Sequence, residues 1–420
     1  MRTLALLVTL FLTTLVAAQE PVTITYWQYD FAGRVDAMNQ LIEQFEAENP
    51  DIDVVQETFP YDAYQQRIAA SLPAGEGPDV MQLFYGWLPT YVRSGYVEAL
   101  PSEYFDAEAL DAEFVPMVQA AKVDGTYYGL PTAVRSLALF YNRDKLTEAG
   151  YDEPPATWDE FIEIAQALTV QRGPRFTQIG YGVAPAGQDH HLIREILTRQ
   201  FGTPPYSEDH TEVLYDNEAG LAAFEFYTSW QTENQIGVTE FIPGNNGYRE
   251  GFRLQENIAM IIDGSFAIGA VRDQAEFDWG VAEIPLLEEG GIEANFGSFW
   301  MNALTPNAMA DEATLEASAR FLEFVTRPDA MRLWLEVVGE LPARSELIAD
   351  PALAEDPVFG PFIASLAYAE ATFFYDEAAQ REVIVDAVNR VLLQDVDPAE
   401  AWSAAAAQDQ AIIDAAIDGE

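Results

Sequence analysis

The chain predicts an α/β protein of two lobes, and three observations carry that prediction. Strand-like and helix-like segments alternate in two successive series. Removing an 18-residue leader from the 420 residues leaves 402, and at roughly 100–200 residues per domain two domains follow. No low-complexity linker separates the two series, so the chain must cross between lobes more than once.

The elements follow in order. Val22 to Trp27 alternates as a strand. Val35, Met38, Leu41, Ile42 and Phe45 recur three and four apart and mark one face of a helix, which Asn49-Pro50 ends because proline disfavours helix at the preceding residue. A strand around Ile52 to Thr58, a helix through Tyr64 and Ile68 and a buried strand from Val80 to Phe84 complete a pattern that implies a mainly parallel sheet covered on both faces. Gly95 sits where a helix stops. Asp124-Gly125 is a tight-turn pair that predicts a hairpin, and the chain is extended again from Leu137 to Tyr141. Thr157 with Glu160 forms a capping box ahead of Phe161, Ile162, Ala165 and Leu168. Residues 171–215, rich in Gly and Pro, predict loops and short elements. A helix through Phe224 and Tyr227 and strands at Ile258 to Ile262 and Trp279 to Ile284 form the second series. Phe296 to Leu304 predicts a strand, Ala313 to Thr326 a helix before Arg327-Pro328, and a further helix runs to Val338. From Glu377 onward two helices break near Asp397-Pro398.

Arg2, the apolar run Leu4 to Leu15 and the small residues Val16-Ala17-Ala18 have the order of a cleavable secretory leader over residues 1–18. The run is shorter than the roughly 20 residues a spanning helix needs. The absence of cysteine removes disulfides, thiol catalysis, cysteine-ligated metals and a lipid-attachment cysteine. The expected product is free in the periplasm or secreted, without a direct membrane anchor. The formal net charge is −48, and only Lys122 and Lys145 accompany 19 arginines. Such a chain presents no basic patch for nucleic acid or an anionic membrane.

Catalytic patterns are missing. The sequence contains no phosphate loop, dinucleotide loop or nucleophile elbow. His190 and His191 are adjacent, and His210 stands apart, a poor arrangement for a shared metal; all three are read as surface or loop residues. With 69 acidic residues, a carboxylate pair suited to glycoside hydrolysis carries no information. No catalytic residue, metal or cofactor is expected.

Three segments carry a resemblance. Gly75-Glu-Gly-Pro-Asp-Val-Met-Gln-Leu-Phe-Tyr-Gly-Trp87 resembles the first ligand-contacting strand of the periplasmic solute-binding proteins of the maltose-binding type. Gly125 to Lys145 resembles the segment by which that family crosses between lobes. Thr157-Trp-Asp-Glu160 is similar to its next helix start. The resemblance spans nearly the whole chain after the leader. It implies a type II periplasmic binding fold with hinge crossings near Thr132, Gly297 and Arg344. The lobes are then 19–131 with 297–343, and 132–296 with 344–420.

A sugar site needs aromatic plates and a few directed polar groups in a preformed cleft. Trp27, Gln28 and Asp30 end the first strand, and Tyr85 and Trp87 end the third; strand core or helix-start packing is the competing role of their rings. The family often has a carboxylate or small polar residue where this chain has Arg135, whose guanidinium either holds hydroxyls or an anion or forms an interlobe ion pair; Ser136 is a weaker candidate. Asp263, Gly264 and Phe266 resemble the segment supplying the second lobe's platform, unless Asp263 caps a helix and Phe266 is core. Gly297, Ser298 and Trp300 sit at the second crossing, Arg344 resembles a family arginine at the third, and Phe374 comes from the C-terminal region. Trp158, Trp230, Trp334 and Trp402 sit in helical patterns as packing residues.

The expected function is capture of a mono- or oligosaccharide between the lobes and delivery to the membrane permease subunits of an ABC importer by a monomer. The alternatives are a binder of a polyol or glycerol phosphodiester held by Arg135 and Arg344, and a secreted carbohydrate-active enzyme.

Overall fold

The computed structural model describes residues 21–238, 241, 247–372 and 374–418; the leader lies outside them. Two sheets organise the chain. The first holds β1 (Val22–Tyr29), β2 (Ile52–Phe59), β3 (Val80–Phe84), β6 (Leu130–Arg135), β13 (Ser298–Leu304) and β14 (Leu341–Pro342), in the order β14-β6-β13-β3-β1-β2. Between β3 and β6 lies the hairpin β4 (Lys122–Val123) and β5 (Thr126–Tyr127). Asp124 and Gly125 both take positive φ there, 51° and 79°, the backbone a two-residue hairpin turn demands.

The second sheet holds β7 (Leu137–Asn142), β8 (Val170–Arg172), β9 (Arg175–Tyr181), β10 (Ile258–Gly264) and β11 (Trp279–Ala282), in the order β11-β7-β10-β9-β8. The short parallel pair β12 (Asn295–Phe296) and β15 (Ala369–Glu370) stands apart from both sheets.

The two-lobed α/β architecture is that expected, but the sheets are mixed rather than mainly parallel. β1 runs parallel to β2 and β3, and β9 parallel to β10. β13 is antiparallel to β3 and β6, and β7 antiparallel to β10 and β11. The crossing segments cause this, because strands that enter or leave a lobe at the hinge run against the strands laid down by βαβ units.

The first crossing lies a few residues beyond Thr132. β6 stays paired with β13 as far as Arg135 opposite Ser298, so the first lobe continues past residue 131 and Thr132 is interior to it. The chain passes to the second sheet at Ser136, whose hydroxyl donates to the Phe362 carbonyl at 3.1 Å, and returns at Gly297. Arg344 bridges to Phe114, so the first lobe extends beyond residue 343 as well.

The predicted helices form where caps and periodicity place them. Ala32–Glu48 buries Met38, Leu41, Ile42 and Phe45, and Phe45 meets Phe321 and Phe324 edge-on. The capping box of Thr157 and Glu160 is complete. Residues 185–200 are a correction to the expected loops: they are helical, with π-type turns at Pro185–Asp189 and Leu192–Leu197. A π-helical register spoils 3.6-residue periodicity, so the pattern is unreadable as helix. Trp158, Trp230, Trp334 and Trp402 are all buried packing residues.

Candidate functional site

β1 and β3 are parallel, so their carboxyl ends share one edge of the first sheet; β13 is antiparallel and begins at that same edge. Ligands in open α/β sheets bind outside such an edge. A cavity of about 290 Å³ lies there, between the lobes. The first lobe contributes Tyr29, Tyr61, Phe84, Arg135, Ser298 and Trp300. The second contributes Gln188, His191, Arg249, Phe266, Phe296, Glu377 and Arg381.

Trp300 is the centre of the aromatic wall. Its ring centroid is 4.5 Å from Tyr29, 5.6 Å from Phe84 and 5.1 Å from Trp87, the last edge-on. Tyr61 packs edge-on against Tyr29 at 5.2 Å. Behind this wall Arg34 donates to the Tyr29 hydroxyl and to Glu340, and its guanidinium carbon lies 5.6 Å from the Trp300 ring. The wall is therefore locked by packing on one side and by a buried ion pair on the other.

The opposite wall is built on Phe266, which follows β10. The guanidinium carbons of Arg135 and Arg249 each lie 5.3 Å from its ring, a cation–π distance. Arg249 grips the fully buried carboxylate of Asp263 through Nε and Nη2. Gly264 leaves room for Phe266, since a Cβ there would lie 2.3 Å from its ring. His191 lies flat on Phe296, with centroids 3.6 Å apart. Burial, then the neighbouring His190 and Arg194, hold His191 well below the usual imidazole range, so it faces the cavity neutral. Both His190 and His191 are buried, a correction to their reading as surface residues.

Glu340 connects the walls. Burial alone would raise its pKa, but Arg34, then Arg135, outweigh burial and hold it below the usual carboxylate range. It also accepts from Trp334 Nε1 at 2.9 Å. Arg135 reaches it at only 3.4 Å through Nε.

Of the residues singled out from sequence, Arg135, Phe266, Ser298 and Trp300 line the cavity. Asp263 and Gly264 stand directly behind it, Asp263 occupied by Arg249 and the Gly264 amide. Trp87 braces Trp300, and Gly297 is the return crossing. The others lie elsewhere. Trp27 is 3% exposed, packed edge-on against Phe59 and covered by Arg67. Gln28 is buried and donates to Gln56, and Asp30 is exposed and outside the cavity lining. Tyr85 stacks on Phe299 at 4.8 Å, and Phe374 lies under Arg194. Arg344 donates to the Thr326 carbonyl at 2.7 Å and to Glu113, on the far side of the first lobe.

Tyr29, Tyr61, Phe84, Gln188, His191, Arg249, Phe296, Glu377 and Arg381 were missed. β1 runs to Tyr29, two residues past the strand read from sequence. Tyr29 stands two residues beyond Trp27, nearer the carboxyl edge where the cavity opens, and it is Tyr29 that lines it. A wider crevice of about 610 Å³ also opens between the lobes, beside the β4–β5 hairpin rather than at strand ends; Met117, Lys122, Glu370 and Tyr375 are among its lining residues.

Two lobes whose strand ends meet across a cavity define the architecture of a solute-binding protein. The family model described as bacterial extracellular solute-binding protein matches residues 40–361; the chain belongs to that family and is a solute-binding protein, not an enzyme. It is 24% identical over 347 residues to the maltotriose-binding protein of Pyrococcus abyssi, covering 81% of this chain and 70% of that one. To the arabinooligosaccharide-binding protein of Halalkalibacterium halodurans it is 25% identical over 353 residues, covering 81% and 75%. To the sn-glycerol-3-phosphate-binding periplasmic protein of Escherichia coli strain K12 it is 23% identical over 347 residues, covering 77% and 75%. Among solved structures, it is similar to an ABC transporter solute-binding protein from Thermotoga lettingae bound with α-D-tagatose. The TM-score is 0.77 at 24% identity, covering 93% of this chain and 100% of that one. The maltose/maltodextrin-binding domain from Bdellovibrio bacteriovorus bound to maltotriose gives a TM-score of 0.76 at 22% identity, covering 94% and 100%.

Proposed function

We propose that the protein acts outside the cytoplasm as a monomer, captures a carbohydrate between its lobes and delivers it to the permease subunits of an ABC importer. The observation that carries this reading is the Trp300 wall with Tyr29, Tyr61 and Phe84, facing Phe266 across the cavity. Sugar C–H faces pack on such rings, while Ser298, Gln188 and the arginines supply directed polar groups for hydroxyls. The volume of about 290 Å³ lies at the lower end of the roughly 300–1,000 Å³ usual for small-molecule sites, which favours a mono- or disaccharide. The relatives that bind maltotriose and arabinooligosaccharides support the same class. Closure around the ligand would let the permease distinguish the loaded form through its preference for one state.

A thermal-shift screen of ligand-free protein against sugars tests this reading. A ligand at 100 times its Kd adds about 2.7 kcal/mol of stability. A shift confined to one sugar class supports it; shifts only with non-sugar compounds refute it. A second reading, a polyol or glycerol phosphodiester ligand, is favoured by the three cavity arginines and by the sn-glycerol-3-phosphate-binding relative. In that reading Arg249 or Arg381 partners Arg135, since Arg344 is out of reach.

A further inference from the structure

Among the described residues, the charges around the cavity do not cancel. Arg249 is matched by Asp263 in a two-point contact. Arg381 is matched by Glu377, with Nη1 3.4 Å from its carboxylate. Arg34 and Arg135 share the single carboxylate of Glu340, and Arg34 has the closer contact. One positive charge is left over, at Arg135, at the centre of a chain whose formal net charge is −48. Arg135 Nη2 is buried and has no hydrogen-bond partner among the described residues. A buried donor without an acceptor costs about 1–3 kcal/mol, and a buried cation short of a counter-charge costs more. An acid-rich chain has carboxylates in abundance, yet among the described residues Arg135 is given no carboxylate of its own, only a share of Glu340.

We propose that the ligand is an acidic sugar of one or two rings, its carboxylate held by Arg135 at the edge of Phe266 and its ring plane laid on Trp300. The proposal rests on the carbohydrate reading and narrows it. The geometry separates the two tasks: the aromatic wall on the first lobe takes the ring, and the guanidinium at the hinge takes the charge. Arg135 ends β6 directly before the crossing at Ser136, so an anion bound there would sit at the pivot of both lobes.

The test is calorimetric titration of ligand-free protein with D-glucuronate, D-galacturonate and their dimers. The matched neutral sugars, glycerol 3-phosphate and inorganic phosphate complete the panel, and both wild type and Arg135→Gln are titrated. Arg135→Gln removes the surplus cation and keeps the Arg34–Glu340 pair, so it should fold; Arg381→Gln, on a partly exposed side chain, is the second variant. A charged hydrogen bond exceeds a neutral one by about 1 kcal/mol or more, so an acidic sugar should bind roughly tenfold tighter than its neutral parent. Arg135→Gln should erase that preference, costing the acidic sugar roughly tenfold more affinity than it costs the neutral parent; Arg381→Gln should keep most of it. Equal affinity for acidic and neutral partners, or a preference that survives Arg135→Gln, overturns the proposal but leaves a sugar site. Binding of phosphate or glycerol 3-phosphate without any sugar overturns the carbohydrate reading as well. No response to any acidic member overturns the proposal.

Discussion

Replacing Glu340 by Gln removes one charge and almost no volume, so its effect isolates the electrostatics of the hinge. Glu340 is 3% exposed, accepts from Arg34 and from Trp334 Nε1, and lies 3.4 Å from Arg135. In Glu340→Gln two buried guanidiniums lose their only shared counter-charge. Removing one partner of a buried ion pair costs about 3–5 kcal/mol, because the remaining charge is left uncompensated. The loss should appear at pH 7 in urea unfolding followed by tryptophan fluorescence. Glu382→Gln, whose side chain is exposed and only 3.8 Å from Arg381, should stay within about 0.5 kcal/mol of wild type. The pH dependence has a definite sign. The folded pKa of Glu340 lies below its ordinary value of 4.5, so its contribution is complete above that value and disappears as pH falls through the lower folded one. The gap between wild type and variant should therefore close in acid. Arg135→Gln should cost far less than Glu340→Gln, since it removes the surplus charge. A Glu340→Gln loss under about 1 kcal/mol, or an Arg135→Gln loss equal to it, would refute the shared-carboxylate account.

Other outcomes follow from the same geometry. Trp300→Ala should weaken sugar binding by about 30-fold, the weight of a buried aromatic anchor, measured by calorimetry with Trp27→Phe as a control that leaves affinity unchanged. Asp189 is buried and accepts from Tyr181, Tyr227 and the Ala184 amide; burial pushes its carboxyl up to about 6. Carbon-13 NMR of labelled aspartates should show one midpoint near 6, and between pH 4 and 6 this group's contribution makes stability fall as pH rises. A midpoint near 4 would contradict its buried placement. A Cβ at Gly180 would lie 2.0 Å from the Ala165 carbonyl oxygen, so Gly180→Ala should destabilise by about 1–3 kcal/mol in urea unfolding. Gly125→Ala, with no atom in the way but a φ of 79°, should cost less than Gly180→Ala.

Much of the fold was legible because local chemistry and global architecture agree. The capping box at Thr157, the Asp124-Gly125 turn and the apolar helix face from Val35 to Phe45 each name their element without tertiary context. Sheet direction was not legible, because nothing local distinguishes β13 entering from the hinge from a strand laid down by a βαβ unit. Within the site, the resemblance of their segments to the family's crossing and platform segments pointed to Arg135, Ser298, Phe266 and Trp300. The first strand's candidates were Trp27, Gln28 and Asp30, whereas β1 runs to Tyr29, whose ring lies two residues nearer the sheet's carboxyl edge than Trp27 and reaches the cavity. Arg249, Glu377 and Arg381 are brought in by helices of the second lobe distant in sequence from the hinge. Their neighbours give no local sign of a cleft. Gln188 and His191 are hidden by the π-helical turns.

The most direct test is a crystal structure of the protein with the sugar that the binding screen selects. The account predicts the ligand in the cavity between Trp300 and Phe266, its ring on the Trp300 face and an oxygen within hydrogen-bonding distance of Arg135. A ligand seated instead in the wider crevice beside Lys122 and Glu370, with Trp300 and Arg135 untouched, would contradict it.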